Sequence, residues 1–246
     1  MCLMDSLAWV GRSEEALRYA PEALEATRRL GRPRHIAWAL VMTARAYRML
    51  GQFEESADRE LEALALFQAG GHRVDQAIVL DGLGLTFGRW GRYEESVAYH
   101  RQAVEVAQEG QDRAHVAVAL VSLGETFMAM GQLEEAVDCF EQALAILASG
   151  GDAWREGLAL RELGRALHEM GRFIEAADAL ERAAALFVQT GDRYDRAGVL
   201  EAWGSALWEL GEGERAAECW QESLEIYEQL DMPEAKKVQE QLGRIR

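Results

Sequence analysis

The residues whose types could support chemistry show no catalytic arrangement. The string GLGLTFG, from Gly82 to Gly88, has two glycines of a dinucleotide-binding fingerprint, but its third glycine is one place late and no strand precedes it. No G-x-S-x-G nucleophile motif occurs. The sequence therefore predicts a protein that is not an enzyme and that requires no cofactor. The histidines lie in separate stretches and never take the H-x-x-x-H spacing of a metal-ligand pair: His35, His72, His100, His115 and His168.

The cysteines indicate neither a metal site nor a disulfide framework. Cys2, Cys139 and Cys219 are an odd number without C-x-x-C spacing. Free thiols fit a reducing compartment, so we expect a cytoplasmic protein. The opening MCLMDSLAWVGR has no basic start, and no run of 18 apolar residues occurs, so no membrane interaction is expected.

Two arginines suggest one binding chemistry. Arg161 and Arg165 are four residues apart, so they would point the same way from one helix. With Arg89 they suggest an anion-binding patch. Glu162 and Glu169 would equally neutralise these cations, and the sequence leaves both interpretations open.

The overall charge argues against nucleic acid as a direct partner. The chain carries 42 acidic and 26 basic residues, a net charge of -16, whereas affinity for a phosphate backbone comes largely from Lys and Arg. Pairs of acids such as Glu54-Glu55 and Glu94-Glu95 fall where helices are expected to begin, and there the helix dipole favours negative charge. Most of the acidic excess is therefore interpreted as solvated helix starts.

A forty-residue repeat organises the whole chain. Around one repeat glycine the sequence reads GQLEEAVDCFEQAL, and weaker copies, GRYEESVAYHRQAV and GRFIEAADALERAA, lie forty residues to either side. A fixed internal period of this length is typical of repeat architectures. The repeat glycines stand at positions 11, 51, 91, 131, 171 and 211.

Each repeat predicts two helices. Leu120, Leu123, Gly124 and Phe127 have the i, i+3, i+4, i+7 spacing of one helix face, and a second periodic face follows the glycine. The repeat glycine suits the left-handed residue that ends a helix. A second turn is expected midway between successive repeat glycines, in a column that holds Gly in four repeats and Gln111 and Asp231 in the other two. Helices are expected at about 34–49, 53–68, 73–89 and 93–108, and so on in step along the chain.

A single hairpin would expose an apolar face, so neighbouring hairpins must stack. The sequence thus predicts an all-α fold, a right-handed α-solenoid of stacked antiparallel helical hairpins. We expect one solenoid over residues 1–246, with a truncated first repeat at about 1–30. Five full repeats at 31–70, 71–110, 111–150, 151–190 and 191–230 and a capping helix at 231–246 complete it.

These repeat columns resemble the tetratricopeptide repeat. In order along the chain, the columns hold the pair Leu-Gly; an aromatic residue; Gly; either an aromatic residue or Leu; either Ala or Ser; and a large residue. The phrase LGRFIEAADALERAAALFVQTGDRYDRAGVL resembles the long-helix type found in bacterial multidomain regulators. In that family such arrays often follow an ATPase and a DNA-binding domain. Because only about ten residues precede Gly11, we expect a fragment or isolated domain of a longer protein.

The resemblance implies that the first helix of each hairpin lines a concave groove that binds partners. The chain contains no Asn, so the backbone clamp of many peptide-binding members is not expected. The groove is apolar toward the N-terminal half, with adaptable methionines. Matching positions give the candidate residues Trp38, Val41, Met42, Arg45, Met49, Asp81, Leu85, Arg89, Val121, Glu125, Met128, Arg161, Arg165 and Trp208.

Three occupants of this groove are open at the level of sequence. The favoured one is a protein segment, either an amphipathic helix or a neighbouring domain. These apolar residues would otherwise bury against one another or against a second copy, as in a homodimer. Because related long-repeat arrays in sugar-responsive activators bind inducers, a small-molecule sensor is the alternative function. A closed, aromatic-lined pocket around Trp38 or Trp208 would favour it.

Overall fold

Residues 13–243 are described by a computed structural model, and within that range the chain forms helices and no strand. Cys2, Gly11 and the truncated helix expected before Gly11 lie outside the described residues. The helices of the described range are α1 (Ser13–Arg29), α2 (Pro33–Met49), α3 (Phe53–Ala69), α4 (Arg73–Arg89), α5 (Tyr93–Glu109), α6 (Arg113–Ala129), α7 (Leu133–Leu147), α8 (Ala153–Glu169), α9 (Phe173–Thr190), α10 (Arg193–Glu209), α11 (Gly213–Gln229) and α12 (Ala235–Gly243).

Left-handed residues end the helices where the repeat predicts them. The glycines from Gly31 to Gly211 at both turn columns have φ between 63° and 81°. Gln111 and Asp231 occupy the same column without being glycine, and each has a φ of 54°. Only glycine adopts this conformation without a steric penalty, so the two exceptions carry backbone strain.

Aspartates begin several of the first helices. The side chains of Asp112, Asp152 and Asp192 accept hydrogen bonds from the backbone N–H three residues on, at 3.0–3.1 Å. Each satisfies one of the donors that a helix start leaves unpaired. The turn positions and the caps together keep most helices of the described range within one residue of the forty-residue period. The exceptions are α7, which ends two residues early at Leu147, and α12, which begins two residues late at Ala235.

The chain divides into two compact units, unit 1 (Met1–Met130) and unit 2 (Gly131–Arg246). Within each unit consecutive helices pack against each other as antiparallel hairpins. The described core of unit 1 includes the fully buried Leu40, Phe67 and Leu83, and that of unit 2 includes Leu180 and Leu207. The expectation of an all-α fold of stacked helical hairpins is confirmed. None of the described helices has the length and apolar character needed to cross a membrane.

Small residues let the two helices of a hairpin approach closely. A Cβ atom placed on Gly164 would lie 2.5 Å from Cγ of Leu180, and one on Gly204 would lie 2.5 Å from Nε1 of Trp220. In unit 1 a Cβ on Gly84 would lie 2.4 Å from the ring of His100. These distances leave no room for a side chain, so glycine is required by packing here.

Candidate functional site

The first helices of successive hairpins form one side of unit 1. Helix α2 contacts α4 directly and α4 contacts α6, in addition to their contacts with the second helices between them. In a curved stack of hairpins, the helices on the inner side lie closer to one another than the helices on the outer side do. The first helices therefore form the inner face of unit 1. The side chains on this inner face are therefore the candidates for partner binding.

The N-terminal end of this face is an apolar groove. Trp38 and Met42 of α2 line it opposite Ala23 and Thr27 of α1, and it encloses about 440 Å³. Trp38 also packs edge-on against the buried ring of Phe67, with ring centroids 5.7 Å apart. The groove is open to solvent and has one tryptophan, so it is not the closed aromatic pocket that would favour a small molecule.

Further apolar side chains continue along the inner face. Met49 of α2 is 48% exposed, and its Sδ atom accepts a hydrogen bond of 3.4 Å from Nη1 of Arg89 on α4. Leu85 of α4 is partly exposed, and so are Val121 and Met128 of α6. The predicted apolar residues are thus at least partly exposed on three helices that contact one another in sequence, α2 with α4 and α4 with α6.

The predicted charged residues of unit 1 differ in their surroundings. Glu125 and Arg89 are exposed, and Arg45 is partly exposed. The carboxylate of Asp81 instead turns toward the buried ring of His100, and Oδ1 lies 2.8 Å from Nδ1. Asp81 therefore pairs with one nitrogen of a buried imidazole, whose Nε2 has no partner among the described residues, and this contact limits the availability of Asp81 to a partner.

A buried polar network lies directly beneath the inner face. Arg48 of α2 donates through Nη1 to Oε1 of Glu60 at 2.7 Å and to the carbonyl oxygen of Gly82 at 2.9 Å. Thr86 of α4 donates to the other carboxylate oxygen of Glu60 at 2.7 Å. Helices α2, α3 and α4 are therefore joined by charge-assisted hydrogen bonds, whose strength depends on their geometry.

The network perturbs the acid at its centre. Glu60 is 2% exposed. Burial raises the pKa of Glu60 to about 7, against the smaller opposite effects of Arg48 and of the hydrogen bond from Thr86. The negative charge of Asp81 raises it further.

In unit 2 the two predicted arginines are bound to carboxylates. Arg161 contacts Oε1 of Glu162 at 2.9 Å and Oδ1 of Asp195 at 2.6 Å, and Arg165 contacts Oε2 of Glu162 at 2.7 Å. Glu162 is 2% exposed. Of the two interpretations open from sequence, neutralisation by nearby acids describes both arginines, and the Arg165 side chain is 52% exposed. Trp208 is 39% exposed beside the ring of Trp220, with centroids 6.1 Å apart.

Family comparison agrees with this geometry. The tetratricopeptide repeat profile matches residues 3–69 and 115–187, and a second profile with the same description matches residues 79–109. The chain belongs to the tetratricopeptide repeat family. No curated protein matches the sequence.

Solved structures share the tetratricopeptide fold at low identity. BtubC (BKLC) from P. vanneervenii aligns with a TM-score of 0.79 and 19% identity over 89% of this chain and 92% of its own. A signal transduction ATPase with a tetratricopeptide repeat sensor, from Pyrococcus horikoshii, aligns at 0.78 and 15% over 98% and 38%. A Rap protein complexed with competence and sporulation factor aligns at 0.69 and 16% over 94% and 68%. At these identities the likeness shows the fold alone.

The sequence reasoning missed the polar interior of the first tetratricopeptide hairpins. Phe140, Leu180 and Trp220 share one repeat column, and in unit 1 the same column holds Glu60 and His100. Two ionisable residues in an otherwise apolar column are the signal that would have revealed buried polar partners. Periodicity alone does not reveal it, because it records which positions face inward and not which chemistry fills them.

Proposed function

We propose that the chain is a protein-interaction module whose inner face in unit 1 binds an amphipathic helical segment of a partner. The observation that carries the proposal is the row of partly exposed apolar side chains on three neighbouring helices. A patch of this kind on an otherwise acidic surface is typical of a recognition site. The row comprises Trp38, Val41, Met42, Met49, Leu85, Val121 and Met128.

A helix suits this surface better than an extended peptide. Extended peptides are held through their backbone, and the chain has no Asn to supply paired amide donors and acceptors. An amphipathic helix instead places apolar residues in a groove. Met42, Met49 and Met128 have flexible side chains that adapt to such a stripe. The charged rim, Arg45, Arg89 and Glu125, would orient the bound helix.

The wider role proposed is that of a non-catalytic regulatory or scaffolding arm in a bacterial signalling or transcription-regulatory protein of the cytoplasm. The similar structures include a tetratricopeptide repeat sensor and a Rap protein complexed with a signalling factor. Those descriptions apply to those proteins, and they motivate the proposal for this chain. A second copy of the chain would compete for the same inner face if the protein forms a homodimer.

A displayed library of random helical peptides tests the inner face with a defined probe. We expect the enriched peptides to carry apolar residues at i, i+3 or i+4, and i+7. Met42→Glu combined with Val121→Glu introduces two charges into the apolar row, so it should reduce affinity by at least about a hundredfold. Circular dichroism should show unchanged helicity, because both side chains are partly exposed.

The matched control also introduces two glutamates, but on the second helices of hairpins and therefore outside the inner face. Leu61 of α3 is 43% exposed and Ile174 of α9 is 75% exposed. Leu61→Glu combined with Ile174→Glu should leave peptide affinity unchanged. Enriched peptides without helical spacing, or equal loss of binding in both double variants, would show that the inner face is not the recognition surface.

Small-molecule sensing is a second candidate function, and one structural feature favours it. The feature is a polar cavity in unit 2, which is separate from the apolar groove of unit 1.

A further inference from the structure

A cavity of about 300 Å³, open to solvent, lies among four helices of unit 2. Helices α8, α10 and the capping helix α12 supply most of its walls, and Leu180 of α9 completes them. Small residues of α8 and α10, Gly164, Gly198 and Ala202, leave the space. A volume of this size is at the lower end of the range of about 300–1,000 Å³ found for small-molecule sites. The cavity therefore suits a ligand smaller than a helical segment.

Two buried polar atoms of the cavity residues lack hydrogen-bond partners. They are Nε2 of His168 on α8 and Oε1 of Gln241 on α12, which have no partner within residues 13–243. Leaving a buried polar group unpaired costs about 1–3 kcal/mol, so such groups are rare in folded proteins. Six buried side-chain atoms of the described residues lack a partner, and two of the six belong to residues that line this one cavity. A polar ligand in the cavity would pair with them.

The cavity presents charges of both signs. Arg165 and Lys237 supply cations, and their side chains are 52% and 69% exposed. Arg165 also contacts Oε2 of Glu162 at 2.7 Å, so a ligand carboxylate would share its guanidinium with that acid. Glu169 and Glu201 supply carboxylates, and Oε1 of Glu201 lies 2.6 Å from Nζ of Lys237. A simple anion would be repelled by the two carboxylates and a simple cation by the two basic groups. A molecule with both charges close together would be attracted at each end.

We propose that this cavity binds a zwitterionic small molecule of the size of a free amino acid. Its carboxylate would lie against Arg165 and Lys237. Its ammonium group would lie toward Glu169 and Glu201 and donate to the open acceptor of Gln241. Ligand binding would then join the capping helix α12 to the inner helices α8 and α10, which links occupancy to the stability of the C-terminal hairpins.

Calorimetric titration of the full chain with the standard L-amino acids, one at a time, tests the proposal. At least one amino acid should bind with a Kd on the order of 1 mM or tighter. Acetate and methylamine each carry one of the two charges, and both should bind at least about tenfold more weakly. Equal binding of acetate would indicate an anion site, and no binding by any amino acid would overturn the proposal.

Two adjacent lysines provide a matched pair of variants. Lys237→Ala removes the cavity cation and should weaken amino-acid binding by about tenfold. Lys236→Ala removes the same charge from the neighbouring exposed position of α12, which does not line the cavity, and should leave affinity unchanged. Equal losses in the two variants would show that only general electrostatic attraction is at work.

A third variant fills the cavity without removing a charge. Ala202→Leu places a larger side chain in the space, so it should abolish amino-acid binding. Lys237→Ala changes an exposed position and should leave the chain folded, so it measures the effect on affinity alone. Peptide binding by unit 1 should be unchanged in Ala202→Leu. This separates the two sites, because failure of the amino-acid titrations leaves the helix-binding result untouched. Retained amino-acid affinity in Ala202→Leu would exclude this cavity as the site.

Discussion

At the scale of single residues, two turn positions have the left-handed backbone of the other turns but are not glycine. Gln111 and Asp231 adopt the left-handed conformation that glycine adopts at the equivalent turns. A side chain in that conformation costs about 1–2 kcal/mol, offset in part by the greater chain entropy that glycine loses on folding. Replacing either residue with glycine should therefore stabilise the folded protein slightly.

Gln111→Gly should raise the free energy of unfolding by about 0.5–1 kcal/mol. The reverse change, Gly71→Gln, should lower it by a similar amount, because a Cβ on Gly71 would meet no atom within 4 Å and only the backbone is strained. Urea denaturation followed by circular dichroism measures both changes. Destabilisation by Gln111→Gly would mean that the glutamine side chain contributes a contact that outweighs the strain.

Buried ionisation at Glu60 makes unit 1 sensitive to pH. Because burial raises the folded-state pKa of Glu60 from 4.5 to about 7, the folded protein binds more protons than the unfolded chain between these values. Stability therefore falls as pH rises through this window and levels off above pH 7. The contribution is at most about 3 kcal/mol, since one pKa unit corresponds to about 1.4 kcal/mol.

Glu60→Gln should remove this fall. The stability of the variant relative to the unsubstituted chain should increase from about pH 4.5 to about pH 7 and then stay constant. Glu62→Gln, on the exposed side of the same helix, should keep the original pH profile. Parallel profiles for all three proteins would show that Glu60 is already ionised when buried.

At the scale of helices, the packing of first against second helix in each hairpin depends on the absence of a side chain. Gly164→Leu should lower the free energy of unfolding by several kcal/mol, because even its Cβ would lie 2.5 Å from Cγ of the fully buried Leu180. Gly164→Ala should cost less, since one methyl group requires a smaller shift. Thermal and urea denaturation measure both effects.

Gly213→Leu is the control for this packing prediction. The nearest atom to a Cβ on Gly213 is 3.6 Å away on Trp208, an ordinary contact, and the residue begins α11. The same chemical change should therefore cost less than about 1 kcal/mol there. Similar losses for Gly164→Leu and Gly213→Leu would contradict the close-approach explanation.

The helices also show which part of the structure the sequence predicts. The expected spans 34–49 and 93–108 differ by one residue from Pro33–Met49 and Tyr93–Glu109, because turn glycines in a fixed period mark both helix ends. The apolar inner face follows from the same period, since one position per turn faces inward. Repeat columns therefore predict helices and faces well.

Interactions between columns could not be predicted in the same way. The pairing of Arg48 with Glu60 and Gly82 joins residues 12 and 34 positions apart, and it depends on side-chain rotamers. The unit 2 cavity needs α12 to meet α10 and α8, and sequence spacing does not give that distance. The commitment of Asp81 to His100 was missed for the same reason, because the partner lies on the following helix.

At the scale of the whole molecule, net charge opposes folding more than surface ion pairs support it. The 42 acidic residues outnumber the 26 basic ones, so the net long-range interaction among the charges is repulsive. Many ion pairs are exposed, such as Arg59 with Glu62 at 40% and 41%, and such pairs contribute about 0–1 kcal/mol each. Screening weakens both effects, but the long-range repulsion is the more sensitive to salt.

Stability should consequently rise with ionic strength. Between about 0.01 M and about 0.15 M NaCl the Debye length falls from about 30 Å to about 8 Å, which screens repulsion across a unit while pairs in contact keep most of their attraction. We expect a gain on the order of 1 kcal/mol in the free energy of unfolding, measured by urea denaturation at constant pH. KCl at equal ionic strength should give the same gain, because screening does not depend on which monovalent cation is present. A fall in stability with either salt would mean that exposed ion pairs outweigh the repulsion of a net charge of -16.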